Sequence, residues 1–182
     1  MINQTSSQYD QIIGHCKSIF ISKNTDYGTS WRVMRISSIM DQIFIKAQRI
    51  RNIEEKEVKK IDEGVESEYM GIINYCVIAL IQLELIDSTN YELDTATLTK
   101  LYEKYIQQTK SLMESKNHDY GEAWRDMLVS TFTDMLLMRV LRIRQISAAK
   151  GNTIMSEGID SNLMDMINYS IFALIQLEEE KQ

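Results

Sequence analysis

The sequence predicts an all-α protein built from two tandem, pseudo-symmetric repeats, and three observations carry that expectation. The 182 residues contain no proline and only seven glycines, while Leu, Ile, Met, Glu and Lys, all good helix formers, are abundant. Residues 23–34 return 93 positions later as residues 116–127, with eight of twelve positions identical. Residues 74–84 return 94 positions later as residues 168–178, so one residue has been inserted between the two matches. A period of about 90 is too long for a solenoid repeat, which leaves two fused half-domains, 1–90 and 91–182, folded together as one compact domain. A hydrophobic content of 44% is enough for a shared core.

Each repeat reads as a series of helices. The first is expected over about 8–22, and its twin over 95–115 follows Asp94, a suitable N-cap. Both lead into a Lys-Asn-x-Asp-Tyr-Gly segment whose Asn and Gly tolerate positive φ and suit a sharp exit from a helix. A short helical turn around Trp31 or Trp124 precedes a second long helix starting near Ser38 or Thr131. Ser38-x-x-Asp41 and Thr131-x-x-Asp134 place an acceptor and an acid where a capping box would stand. The third helix is expected over 65–86 and over 157–180. Residues 54–62 and 147–156, where the repeats differ most, are charged or contain Gly and Asn and read as loops. Residues 87–94 join the repeats as a short internal turn.

Ten basic against twelve acidic residues give 1–90 a charge of −2, and ten against fourteen give 91–182 a charge of −4. Neither half carries the basic excess expected of a duplex nucleic-acid binder. Cys16 and Cys76 lack CxxC spacing and face Thr109 and Ser170 in the second repeat, so they read as buried free thiols in a reducing compartment. No apolar run is long enough to span a membrane and the start of the chain lacks a signal-peptide pattern, so the expected location is cytoplasmic.

The residues able to carry chemistry fall in three groups. On the last helix Glu157, Ser161, Asp165 and Asn168 fall within about 80° of one another, a hard-oxygen face suited to Mg²⁺. An idle carboxylate on so apolar a helix is costly, which argues for a role at Asp165. The first repeat keeps Glu63, Glu66 and Asn74 but has Gly71 in place of Asp165. The expectation is therefore that the second repeat holds the metal and the first has decayed. Lys46-x-x-Arg49 and Arg139-x-x-Arg142 each put two cations on one helix face, fit for phosphate oxygens or for ordinary ion pairs. Asp26 and Asp119 could ligate a metal or cap the next turn. Tyr27, Tyr120, Trp31 and Trp124 offer flat faces to a base or to the core. His15 and His118 do not recur and belong to no catalytic constellation.

The Lys-x-x-Asp-Tyr-Gly segment, the central Lys46/Arg49 and Arg139/Arg142 pairs, and the closing Glu157…Asp165-x-x-Asn168-Tyr169 helix together resemble the nucleotide modification associated domain family, type 1. The family in turn is distantly similar to all-α nucleoside triphosphate pyrophosphatases of the MazG and dimeric dUTPase type. The resemblance implies a helical bundle that binds a nucleotide with Mg²⁺ and hydrolyses its phosphate chain. Glu157, Asp165, Asp119 and Glu122 would hold the metal, the first three taking part in catalysis. Lys116, Tyr120, Trp124, Arg139, Arg142 and Asn168 would bind the nucleotide. Such enzymes commonly build the site between subunits, which implies a homo-oligomer with Lys23, Asp26, Lys46 and Arg49 completing it. Two rivals stand beside this reading: a non-catalytic nucleotide-binding or regulatory module, and a purely structural partner protein.

Overall fold

The computed structural model describes residues 4–56, 64–149 and 158–181. These form six α-helices and, among the described residues, no strand: α1 (Gln4–Tyr27), α2 (Ile36–Lys56), α3 (Val65–Glu84), α4 (Thr95–Tyr120), α5 (Val129–Ala148) and α6 (Ile159–Glu179). A 3-10 turn, Ser30–Val33 or Ala123–Asp126, precedes the second helix of each repeat. The chain is all-α, as the composition predicts.

The first and fourth helices run through Lys-Asn-x-Asp-Tyr and stop only at the glycine, so Lys23 and Lys116 stand in a last helical turn. Gly28 at φ 63° and Gly121 at φ 61° supply the left-handed residue that turns the chain out of the helix. Asp94 caps α4 as expected, accepting from the Thr97 amide at 2.8 Å and from its hydroxyl at 2.7 Å. The capping boxes do not form. The second helices begin at Ile36 and Val129, ahead of Ser38 and Thr131. Asp41 and Asp134 instead pair across the repeats, with Arg144 at 2.6 Å and with Arg51 respectively. Long-range charge partners, invisible to a local pattern, have taken the two acids.

α3 and α6 pack against each other at the centre, α2 and α5 cover them on one side, and α1 and α4 lie on the other. Ten residues of α3 and twelve of α6 are buried, which is why these helices are apolar nearly all round. Two asparagines, Asn168 buried and Asn74 half-buried, relate the halves by an approximate two-fold. Tyr9 donates to Asn168 Oδ1 at 3.0 Å while Asn168 Nδ2 donates to the Thr109 carbonyl at 3.2 Å. Tyr102 donates to Asn74 Oδ1 at 2.9 Å while Asn74 Nδ2 donates to the Cys16 carbonyl at 3.0 Å. Each repeat thus lends a tyrosine to the other's asparagine, and burial pushes both phenols far above their usual range, keeping them donors.

The join is an internal turn, as predicted. Arg32 donates to the carbonyls of Leu85 and Ser88 at 3.1 Å and of Asn90 at 3.3 Å, and Thr29 donates to that of Tyr91 at 2.7 Å. Gln82 and Gln176 pin the 3-10 turns by donating to the carbonyls of Arg32 and Met34, and of Trp124, Arg125 and Met127. Cys16 and Cys76 are buried free thiols, and burial pushes the Cys16 thiol up to about 12. Among the described residues no helix is long and apolar enough to cross a membrane.

Candidate functional site

The last turn of the first helix, the 3-10 turn, the second helix and the third helix meet at one place in each repeat. What they build there differs. In the second repeat Asp165, only 2% exposed, accepts from Lys116 Nζ at 2.7 Å and from Arg139 at 2.8 Å. Arg139 also donates to Asn162 Oδ1 at 2.9 Å and to the Tyr169 hydroxyl at 3.1 Å. Two turns along α6, Phe172 stacks on Trp124 with ring centroids 4.2 Å apart and planes 7° from parallel. The space between the helices is filled by an ion triad at one end and a ring pair at the other.

In the first repeat the same elements enclose a cleft of about 550 Å³. Lys23, Asn24 and Tyr27 line it from α1, Trp31 from the 3-10 turn, Lys46 from α2, and Gly71, Tyr75 and Ile78 from α3. Two substitutions account for the opening. Gly71 stands where Asp165 is, so no carboxylate crosses the floor, and Ile78 stands where Phe172 is, so no ring covers the tryptophan. Lys46 lies against the bare Gly71 backbone: a Cβ there would meet Lys46 Cε at 2.8 Å.

The missing carboxylate has moved one turn. Glu68, at the position of Asn162, is buried and accepts from Lys46 at 3.2 Å and from Arg49. Glu68 is thus shared by two cations, and Lys23 across the cleft has no ion-pair partner among the described residues. Asn24 adds a polar group, because its buried Oδ1 lacks a hydrogen-bond partner among the described residues. Its counterpart Asn117 is tethered through Nδ2 to Met113 Sδ at 3.1 Å, a partner that Phe20 cannot replace.

These placements correct several expectations. Asn168 is no ligand-facing group, since its oxygen is held by Tyr9 of the other repeat and its nitrogen by the Thr109 carbonyl of its own. Trp124 is covered by Phe172. Arg142 lines a separate surface groove with Arg51 and Asp134 rather than joining Lys116 and Arg139. Asp119 is 75% exposed beside His118, and Tyr27 and Tyr120 are exposed as well. Asp26 is exposed and stands outside the cleft lining. Glu122 accepts from Thr5 at 2.5 Å and from Arg125 at 3.0 Å. Glu157 and Glu63 lie outside the described residues.

Asp165, Asp119 and Glu122, the described members of the expected Mg²⁺ set, do not converge on one ion. Among the described residues no three His, Cys, Asp or Glu side chains are grouped to hold an ion. Asp165 turns one oxygen to Lys116 and the other to Arg139, and a cation would have to displace both. The face that looked suited to metal is the inner face of an ion triad. Of the expected binding residues, the structure gathers Lys23 and Lys46 in the cleft, with Arg49 behind Glu68.

The arrangement in which a Lys-Asn-x-Asp-Tyr-Gly helix end, a basic second helix and a polar third helix surround one space defines the class of the protein. The chain belongs to the nucleotide modification associated domain 1 family, whose model matches residues 23–83 and again 116–177. Each match spans the elements that meet at the site, so the two-repeat reading holds. Comparison with curated proteins and with solved structures returns no match.

Proposed function

We propose that the protein binds a nucleotide in the cleft of its first repeat. The single observation behind this reading is the composition of that cleft, which joins two lysines to aromatic faces from Tyr27, Trp31 and Tyr75 within about 550 Å³. Lysine ammonium groups suit phosphate, and a partly exposed indole suits stacking on a base. The buried Asn24 oxygen suits an N–H on the rim of that base. The family's name associates it with nucleotide modification. Hydrolysis draws no comparable support, because among the described residues no carboxylate lines the cleft. The reading is thus a binding module and not a pyrophosphatase.

The test is a titration of the full chain with ribo- and deoxynucleoside mono-, di- and triphosphates in EDTA, followed by calorimetry and tryptophan fluorescence. One site per chain is expected. Trp31→Phe should abolish the fluorescence response, and Lys46→Met should weaken binding about tenfold, as loss of one charge-assisted contact predicts. No heat and no quenching with any nucleotide at millimolar concentration would reject the proposal.

A further inference from the structure

The second repeat contains, as its own side chains, a flat ring on the tryptophan and an anion between the two cations. Phe172 and Asp165 supply them from one helix, seven positions apart, which sets them on the same face with about 10 Å of rise between them. Their receiving groups Trp124, Lys116 and Arg139 have counterparts in Trp31, Lys23 and Lys46, all of which line the open cleft. The two groups they receive have no counterpart there, because α3 carries Ile78 and Gly71. We infer that Phe172 and Asp165 are internal stand-ins for the ligand, and that the cleft takes a nucleoside monophosphate without metal. Its base lies on Trp31 in the place of the Phe172 ring, and its phosphate sits over Gly71 between Lys23 and Lys46 in the place of the Asp165 carboxylate.

Three features select the monophosphate. A spacing of about two helical turns suits a base, a pentose and one phosphate laid end to end, and leaves a second or third phosphate beyond Lys46. Lys23, which has no ion-pair partner among the described residues, and Lys46, which shares Glu68 with Arg49, suit one phosphate without help from a metal. Gly71 leaves the third helix without a side chain beside Lys46, so the flexible Lys46 stem lies over it and brings its ammonium to the phosphate there. The occupied repeat explains why binding is confined to the other one: its two places are already taken.

This inference rests on the nucleotide reading and is tested so that the two can fail separately. In the full chain, Gly71→Asp and Ile78→Phe copy the second repeat into the first. Calorimetry in EDTA uses the best-bound monophosphate, its nucleoside, and inorganic phosphate. Gly71→Asp should weaken the monophosphate at least about tenfold while leaving the nucleoside within about twofold, and Ile78→Phe should weaken both. In the wild type, inorganic phosphate should compete with the monophosphate without quenching Trp31, and the nucleoside should quench it. The converse double variant, Asp165→Gly with Phe172→Ile, should raise the stoichiometry from one site per chain to two. That variant removes a buried anion and can fail to fold, so the wild-type competition and the blocking variants decide. Wild-type affinity for a nucleotide that neither blocking variant alters, or a triphosphate preferred about tenfold with Mg²⁺, would overturn the placement and leave nucleotide binding standing. No binding to the wild type rejects both.

Discussion

The two repeats share one backbone plan and put it to opposite uses. Both end the first helix at a left-handed glycine, pin the 3-10 turn with a glutamine, and clasp the other half through an asparagine and a borrowed tyrosine. They part at two positions of the third helix, where Asp165 and Phe172 face Gly71 and Ile78. That difference converts a packed interior into a cleft, because a carboxylate between two cations and a ring on an indole fill space that a glycine and an isoleucine leave open. The lesson is about reading carboxylates. An acid kept on an apolar helix is evidence of a partner, and the nearest cations are the first partners to examine.

The largest expected effect separates the repeats most sharply. Asp165→Ala should cost about 3–5 kcal/mol in denaturant unfolding, because it removes the buried carboxylate that Lys116 and Arg139 share. Gly71→Ala at the matching position should change stability by less than about 1 kcal/mol, since the gain in helix propensity is set against moving the flexible Lys46 stem. Equal losses at the two positions would break the contrast drawn between a closed and an open repeat.

A middle-sized effect tests what the repeats have in common. Asn74→Ala and Asn168→Ala should each cost about 1–3 kcal/mol, the range for stranding buried tyrosine and carbonyl partners. Matching values from chemical denaturation would support the approximate two-fold. A loss confined to one asparagine would show that the clasp serves one half only.

The smallest effect concerns a contact with no counterpart. Glu54 accepts from Thr133 at 2.8 Å, and burial raises its carboxyl above the usual glutamate range although the Thr133 bond opposes the shift. The equivalent residue of the second repeat is Ser147, which does not titrate. With the folded value above the unfolded one, the folded state holds the proton more tightly. Stability is therefore lost as pH rises from the ordinary glutamate value through the raised one. Glu54→Gln should flatten that fall in a series of urea melts, and an unchanged slope would assign it to another group.

Much of the fold was legible because its signals are local. Helix formers without proline, a cap at Asp94 and glycines at helix ends act within a few residues of themselves. Local logic failed at Ser38 and Thr131, where the acids of the supposed capping boxes were taken by arginines of the other repeat. Part of the site was legible too, since the exchange of Asp165 for Gly71 stands out when the repeats are aligned. Its sign was not. Glu68 carried no motif, Asn24 and Tyr75 stood in repeated segments with nothing to mark them as site residues, and the role of Ile78 against Phe172 is a matter of volume beside a tryptophan about fifty residues away.

The sequence by itself determined the helical class, the duplication, the helix ends and the exchange of Asp165 for Gly71, because propensity, periodicity and identity are properties of the chain alone. Only the tertiary structure decided which repeat is open. That outcome depends on whether Lys116 and Arg139 reach the same carboxylate, and whether a phenylalanine lands on the face of an indole. Charge pairing and volume filling act between side chains that folding brings together, so their result follows from the packed arrangement of three helices and not from the order of residues along any one of them.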